Sequence, residues 1–97
     1  MPTLLYTARA ERELSSILAY TKEHWGGAQA QRYLDRIAGT LTLLAEHKQM
    51  GRTYSKAHPT WRRFEHDSHI IVYSPTAEGI RIQRIVHKNQ LLEHAVR

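Results

Sequence analysis

Two runs of apolar residues at helical spacing meet at Gly26-Gly27, and beyond residue 60 that spacing gives way to strict alternation. In the first run Leu14, Ile17, Leu18, Thr21 and Trp25 recur at i, i+3, i+4, i+7 and i+11, on one face of an amphipathic helix. The run starts at about Ala8, with the Thr7 hydroxyl as its N-cap. The glycine pair breaks it, because glycine loses the most freedom when held helical. In the second run Ala30, Leu34, Ile37, Leu41 and Leu44 follow steps of four and three, a heptad-like seam over about Ala28 to His47. His47 and Lys48 put positive charge at its negative dipole end, and Gly51 is expected to stop it. Two such helices joined at two glycines form an antiparallel helical hairpin.

The rest reads as strand. Thr3 to Tyr6 is short, apolar and rich in strand formers. Trp61 to His66 alternates, with Trp61, Arg63 and Glu65 on one side and Arg62, Phe64 and His66 on the other. Asp67-Ser68 is a turn, His69 to Ser74 a buried strand, Pro75 to Gly79 a second turn, and Ile80 to His87 the last strand. The order is β-αα-βββ, an α+β fold in which a helical hairpin packs on a small antiparallel sheet. The hairpin covers one sheet face. The other is expected to stay open, with a basic rim.

A chain of 97 residues is one domain, spanning 1–97. It buries only about 60–65% of its unfolded surface, too little to enclose a deep cavity. Without cysteine there is no disulfide scaffold, thiol catalysis or Cys-ligated metal. No segment approaches the ~18 apolar residues of a membrane span, and no signal peptide is visible, so a cytoplasmic location is expected. The seven histidines have no ligand spacing: His58, His66, His69, His87 and His94 fall irregularly. No metal and no cofactor are therefore expected, with His69 read as a packed strand residue and His94 as a solvated one. Trp25 is expected to continue the core stripe of its helix. Trp61 sits at a core edge, or stacks on a partner.

The net charge of +5 is local. Residues 1–47 carry five basic and five acidic groups, and residues 64–97 carry four of each. The excess is Lys48, Arg52, Lys56, Arg62 and Arg63, in an acid-free stretch suited to an acidic partner. Arg84 is a separate puzzle, because strict alternation puts it with Ile80, Ile82 and Val86 on an apolar face, where an unpaired charge is costly. A bulge near Gln83, a pair with Glu65, or a surface place facing a partner would each resolve it.

Several segments together resemble the ParE branch of the RelE/ParE toxin superfamily. They are Gly51-Arg52 after the long helix, Trp61-Arg62-Arg63-Phe64, Ser68-His69-Ile70-Ile71-Val72-Tyr73, and Gly79 to His87 with its Arg84-Ile85-Val86-His87 ending. Ala8 to Glu13, Trp25-Gly26 and Ala30 to Tyr33 agree as well. The resemblance implies a toxin of a type II toxin–antitoxin module, held inactive by an antitoxin with an acidic, partly disordered segment. ParE-like members poison DNA gyrase, whereas RelE-like members cleave messenger RNA on the ribosome. RNA cleavage needs a general base, a general acid and cations around one phosphate. Arg62, Arg84 and His87 are the candidates here. No tyrosine follows Tyr73, the lysine-rich RelE set is absent, and the chain ending is ParE-like, so gyrase poisoning by binding is favoured. Gln90 departs from the methionine common at that position in ParE-like sequences, which leaves a non-toxic member as a third reading. The acid-free stretch offers Arg52, Arg62 and Arg63, with Trp61 beside them, as the antitoxin-binding candidates, and Arg81, Arg84, His87 and Lys88 are the candidates for the target. The resemblance implies no membrane and no sequence-specific nucleic-acid binding by the toxin alone.

Overall fold

The computed structural model describes residues 2–90; His94 lies outside them. The elements are β1 (Thr3–Tyr6), α1 (Ala8–Trp25), α2 (Gly27–Glu46), β2 (Arg52–Thr53), β3 (Arg62–His66), β4 (His69–Pro75) and β5 (Gly79–His87). The expected order is present, with one added strand. A two-residue strand, β2, pairs with β3, and the five strands run β1-β5-β4-β3-β2. The sheet is mixed, because β1 joins its edge parallel to β5 while β2 to β5 pair antiparallel.

Local chemistry accounts for the boundaries. The Thr7 hydroxyl accepts from Ala10 N–H at 3.0 Å and so caps α1. Gly26 ends it with φ of +91°, a left-handed value that glycine adopts without a Cβ clash, and α2 starts at the next residue. Asp67, in a two-residue turn between β3 and β4, also has positive φ, which Asp tolerates better than most residues. α2 ends at Glu46, before Gly51. Gly51 serves another purpose: a Cβ there would lie 2.6 Å from the Tyr73 hydroxyl and 2.8 Å from the Arg63 carbonyl oxygen.

The helices cover one sheet face. Tyr33, Ile37, Leu41 and Leu44 of α2 pack with Ile71, Tyr73, Ile80, Ile82 and Ile85 of the sheet, joined by Leu14, Ile17 and Leu18 from α1. The α1 stripe stops short of its expected end, for Trp25 is 72% exposed and not part of the core. The opposite face is not bare. Ile70, Val72 and Val86 are buried there under Tyr54 and Trp61 from the segment between β2 and β3.

Tyr73 ties that segment to the core. It is fully buried, donates to the Lys48 carbonyl at 2.8 Å and accepts from Gly51 N–H at 2.9 Å. Tyr73→Phe leaves a buried N–H without a partner. It should cost about 2 kcal/mol in urea unfolding; a loss below about 0.5 kcal/mol would show that the two bonds contribute nothing net.

Candidate functional site

The central feature is an irregularity in β5. Val72 pairs with Arg84 and Tyr73 with Ile82, so Gln83 is an extra residue in the ladder. Past it the alternation reverses. Ile85 joins Ile80 and Ile82 in the helix-side core, and Arg84 and Val86 turn to the opposite face, open only in that neither α1 nor α2 covers it. For Arg84, the bulge near Gln83 is present and the pair with Glu65 is not. The carboxylate it meets is Glu13 of α1, not Glu65: Arg84 Nη2 donates to Glu13 Oε2 at 2.9 Å. Both side chains are about one-fifth exposed. Glu13 Oε1 accepts from Ile85 N–H at 3.0 Å, where β1 no longer covers the edge of β5.

Folding disperses the basic stretch. Lys48 Nζ donates to the Thr76 and Ala77 carbonyls. Arg62 points to the helix side, opposite Tyr73, and donates to the Gly51 carbonyl at 2.5 Å and to the Gln49 side chain. Arg52 and Arg63 lie on the open face beside Glu65, at 3.6 and 3.9 Å, and Lys88 reaches the same carboxylate at 3.1 Å. The Lys88 hydrogen bond and charge, more than the arginines, hold the Glu65 carboxyl below the usual carboxylate range.

The candidate antitoxin residues thus fall in two places: Arg52, Arg63 and Trp61 on the open face, Arg62 behind it as a clamp on the loop. Of the candidate target residues, Arg81, Arg84 and Lys88 are on or beside the open face. His87 instead lines an open groove of about 1040 Å³ between α1 and the end of β5, with Tyr20, Trp25 and His69. Arg62, Arg84 and His87 do not converge. The sequence reading missed Glu13, because its partner lies 71 residues away. It also missed the Trp61–His58 stack, with centroids 3.8 Å apart and planes at 11°.

A second cluster sits at the turn end of the sheet. The Tyr33 hydroxyl lies 3.0 Å from His69 Nδ1, and the Thr40 hydroxyl lies 3.0 Å from His66 Nδ1. The His69 and His87 rings meet edge to face at 5.6 Å. Burial, aided by Asp67, pushes the Tyr33 hydroxyl up to about 12, so it stays a donor. Burial first, then the positive charge of His87 and His66, pushes His69 below the imidazole range. Burial likewise lowers His66, against the pull of Asp67.

A family model described as ParE toxin of type II toxin-antitoxin system, parDE, matches residues 4–92. Toxin ParE1 of Caulobacter vibrioides is 30% identical over 83 residues, covering 84% of this chain and 83% of the relative. Toxin ParE of Escherichia coli is 29% identical over 89 residues, covering 91% and 86%. A solved structure titled Chromosomal ParDE TA system from P. aeruginosa superposes with a TM-score of 0.74 at 20% identity, over 90% of this chain and 96% of that one, and shows the shared fold.

The histidine pair sets a pH dependence. Both folded-state values lie below the unfolded one, so the stability they add is present above about pH 6.5 and is lost as pH falls below it. The Tm should fall between about pH 7 and about pH 5.5, and His69→Gln should flatten that fall. A Tm profile unaltered by His69→Gln would remove His69 from the explanation.

Proposed function

The chain belongs to the family of ParE toxins of type II toxin–antitoxin systems, and on that premise we propose that it poisons DNA gyrase by binding and is neutralised by a cognate antitoxin. The observation that favours binding over RNA cleavage is the dispersal of the acid–base candidates. Internal attack on a phosphodiester needs a base and an acid on either side of one phosphorus. Arg62 is committed to the Gly51 carbonyl on one side of the sheet, and Arg84 to Glu13 on the other. His87 lines the α1–β5 groove, which it shares with Glu13 but not with Arg84 or Arg62. The toxin would hold the gyrase–DNA complex in its cleaved form, so that double-strand breaks accumulate. Such a toxin works in the cytoplasm.

The antitoxin supplies apolar residues to the α1–β5 groove, where Tyr20 and Trp25 are largely exposed, and carboxylates to Arg52 and Arg63. The ParDE title of the similar structure supports a paired antitoxin here. Arg62 has a different part, keeping the loop in place for its neighbours.

Two outcomes test this. With purified gyrase and plasmid DNA, the toxin should block supercoiling and leave linear DNA after denaturation of the complex. Neither effect, or messenger RNA cleavage in translating extracts, would refute the gyrase reading. In antitoxin titrations, Arg52→Glu with Arg63→Glu should weaken binding at least about tenfold and reduce its salt dependence. Arg62→Glu should instead lower the Tm. Unchanged affinity in the double variant would remove the open-face arginines from the antitoxin interface.

A further inference from the structure

We propose that the cross-strand row Arg63–Val72–Arg84 on the open face binds the phosphates of a single DNA strand without regard to its sequence. The register places Arg63 on one side of Val72 and Arg84 on the other, on adjacent strands. Strand spacing separates the two arginine Cα atoms by about 10 Å. Val72 is fully buried between them, and Trp61, packed over it, is the apolar surface beside the row. Each arginine faces a carboxylate through Nη2: Arg84 donates to Glu13 at 2.9 Å, and Arg63 lies 3.9 Å from Glu65. In both, the Nε–H is buried and, among the described residues, has no acceptor. An arginine gripping a phosphate uses its donors in pairs. Moving from carboxylate to phosphate therefore exchanges one anion for another and gives each Nε–H an oxygen. The charge around the row has the right sign: Arg52, Arg81 and Lys88 are on the same face, against Glu65 within it and Glu13 at its edge.

The aromatic groups decide between a nucleic acid and an acidic peptide. Trp61 lies beside Val72, His58 stacks on Trp61, and Tyr54 stands next to them. Arg9, Arg84 and Gln83 complete a cleft of about 300 Å³ with these rings. Phosphate-binding arginines beside a stacking platform match the alternation of charge and planar base in a nucleotide strand. A chain of glutamates offers only the charge. The dispersal of acid and base candidates makes this a site that holds a strand without cutting it. Sharing Arg63 with the antitoxin makes occlusion of the strand part of neutralisation.

The gyrase reading identifies the strand as DNA, but the binding test contains no gyrase. A failed binding test therefore leaves the gyrase reading standing, and a failed supercoiling assay removes only the reason for calling the strand DNA. The test is fluorescence anisotropy of the full chain with a labelled oligothymidylate across a range of salt. Wild-type binding should weaken linearly with the logarithm of salt concentration, and each lost phosphate contact should lower the slope by about 0.7. Arg63→Gln should show that drop with about tenfold weaker binding. Arg84→Gln should do the same but also cuts the hydrogen bond to Glu13, whereas Arg63 makes none to Glu65. Arg63→Gln therefore carries the test alone, with thermal melting to confirm its fold. Arg36→Gln, on the helix side, should bind as wild type. An abasic strand of equal length should bind several-fold more weakly than oligothymidylate. No binding at low salt, an unchanged slope in Arg63→Gln, or equal competition by polyglutamate of matched charge would overturn the proposal.

Discussion

The extra residue at Gln83 decides what each face of the sheet presents. A bulge reverses the inward and outward alternation of a strand. Here the reversal keeps Ile85 in the core with Ile80 and Ile82, and takes Arg84 out of it. A bulge also leaves backbone groups without ladder partners, and buried ones are costly. This one is satisfied by side chains from the start of α1. The Thr7 hydroxyl donates to the Gln83 carbonyl at 3.0 Å, and just beyond, on the edge that β1 leaves uncovered, Glu13 accepts from Ile85 N–H. Gln83 Nε2 adds a bond to the Ser74 hydroxyl. The residue that caps α1 thus also holds the bulge, coupling helix and sheet at one point.

The arrangement of charge follows from that point and from Tyr73. Tyr73 fixes the loop after α2, whose Gly51 carbonyl then draws Arg62 to the helix side. Arg63, one residue on, necessarily faces the other way. The bulge brings Arg84 level with it across Val72. A basic segment contiguous in sequence is split between two faces. A basic face then forms from Arg52, Arg63, Arg84 and Lys88, drawn partly from a segment that is neutral along the chain.

Elements with a strong period were legible in the sequence. The Thr7 cap, the break at Gly26, the α2 seam and the Asp67-Ser68 turn rest on interactions within a few residues, and local patterns report those. Trp25 misled because it continues a stripe past the point where the sheet ends, and the pattern carries no information on the sheet's extent. The parallel pairing of β1 was not legible, since four residues show no preference for partner or direction. The covering of the second face by Tyr54 and Trp61 depends on a loop with no period at all. For Arg84, the conflict with its apolar neighbours marked the place of the bulge. Its partner could not be named, because sequence separation hides Glu13. The candidate site residues were legible as residue types but not as a constellation, because their faces depend on the bulge and on the Gly51 loop.

The coupling of α1 to the bulge can be measured by a double-mutant cycle on Glu13→Ala and Arg84→Ala, read by urea unfolding. A partly buried, hydrogen-bonded pair that holds Arg84 on the open face should give a coupling free energy of about 1–2 kcal/mol. Losses that add to within about 0.3–0.5 kcal/mol would mean the two side chains act independently. The placement of Arg84, and the face built around it, would then need another cause.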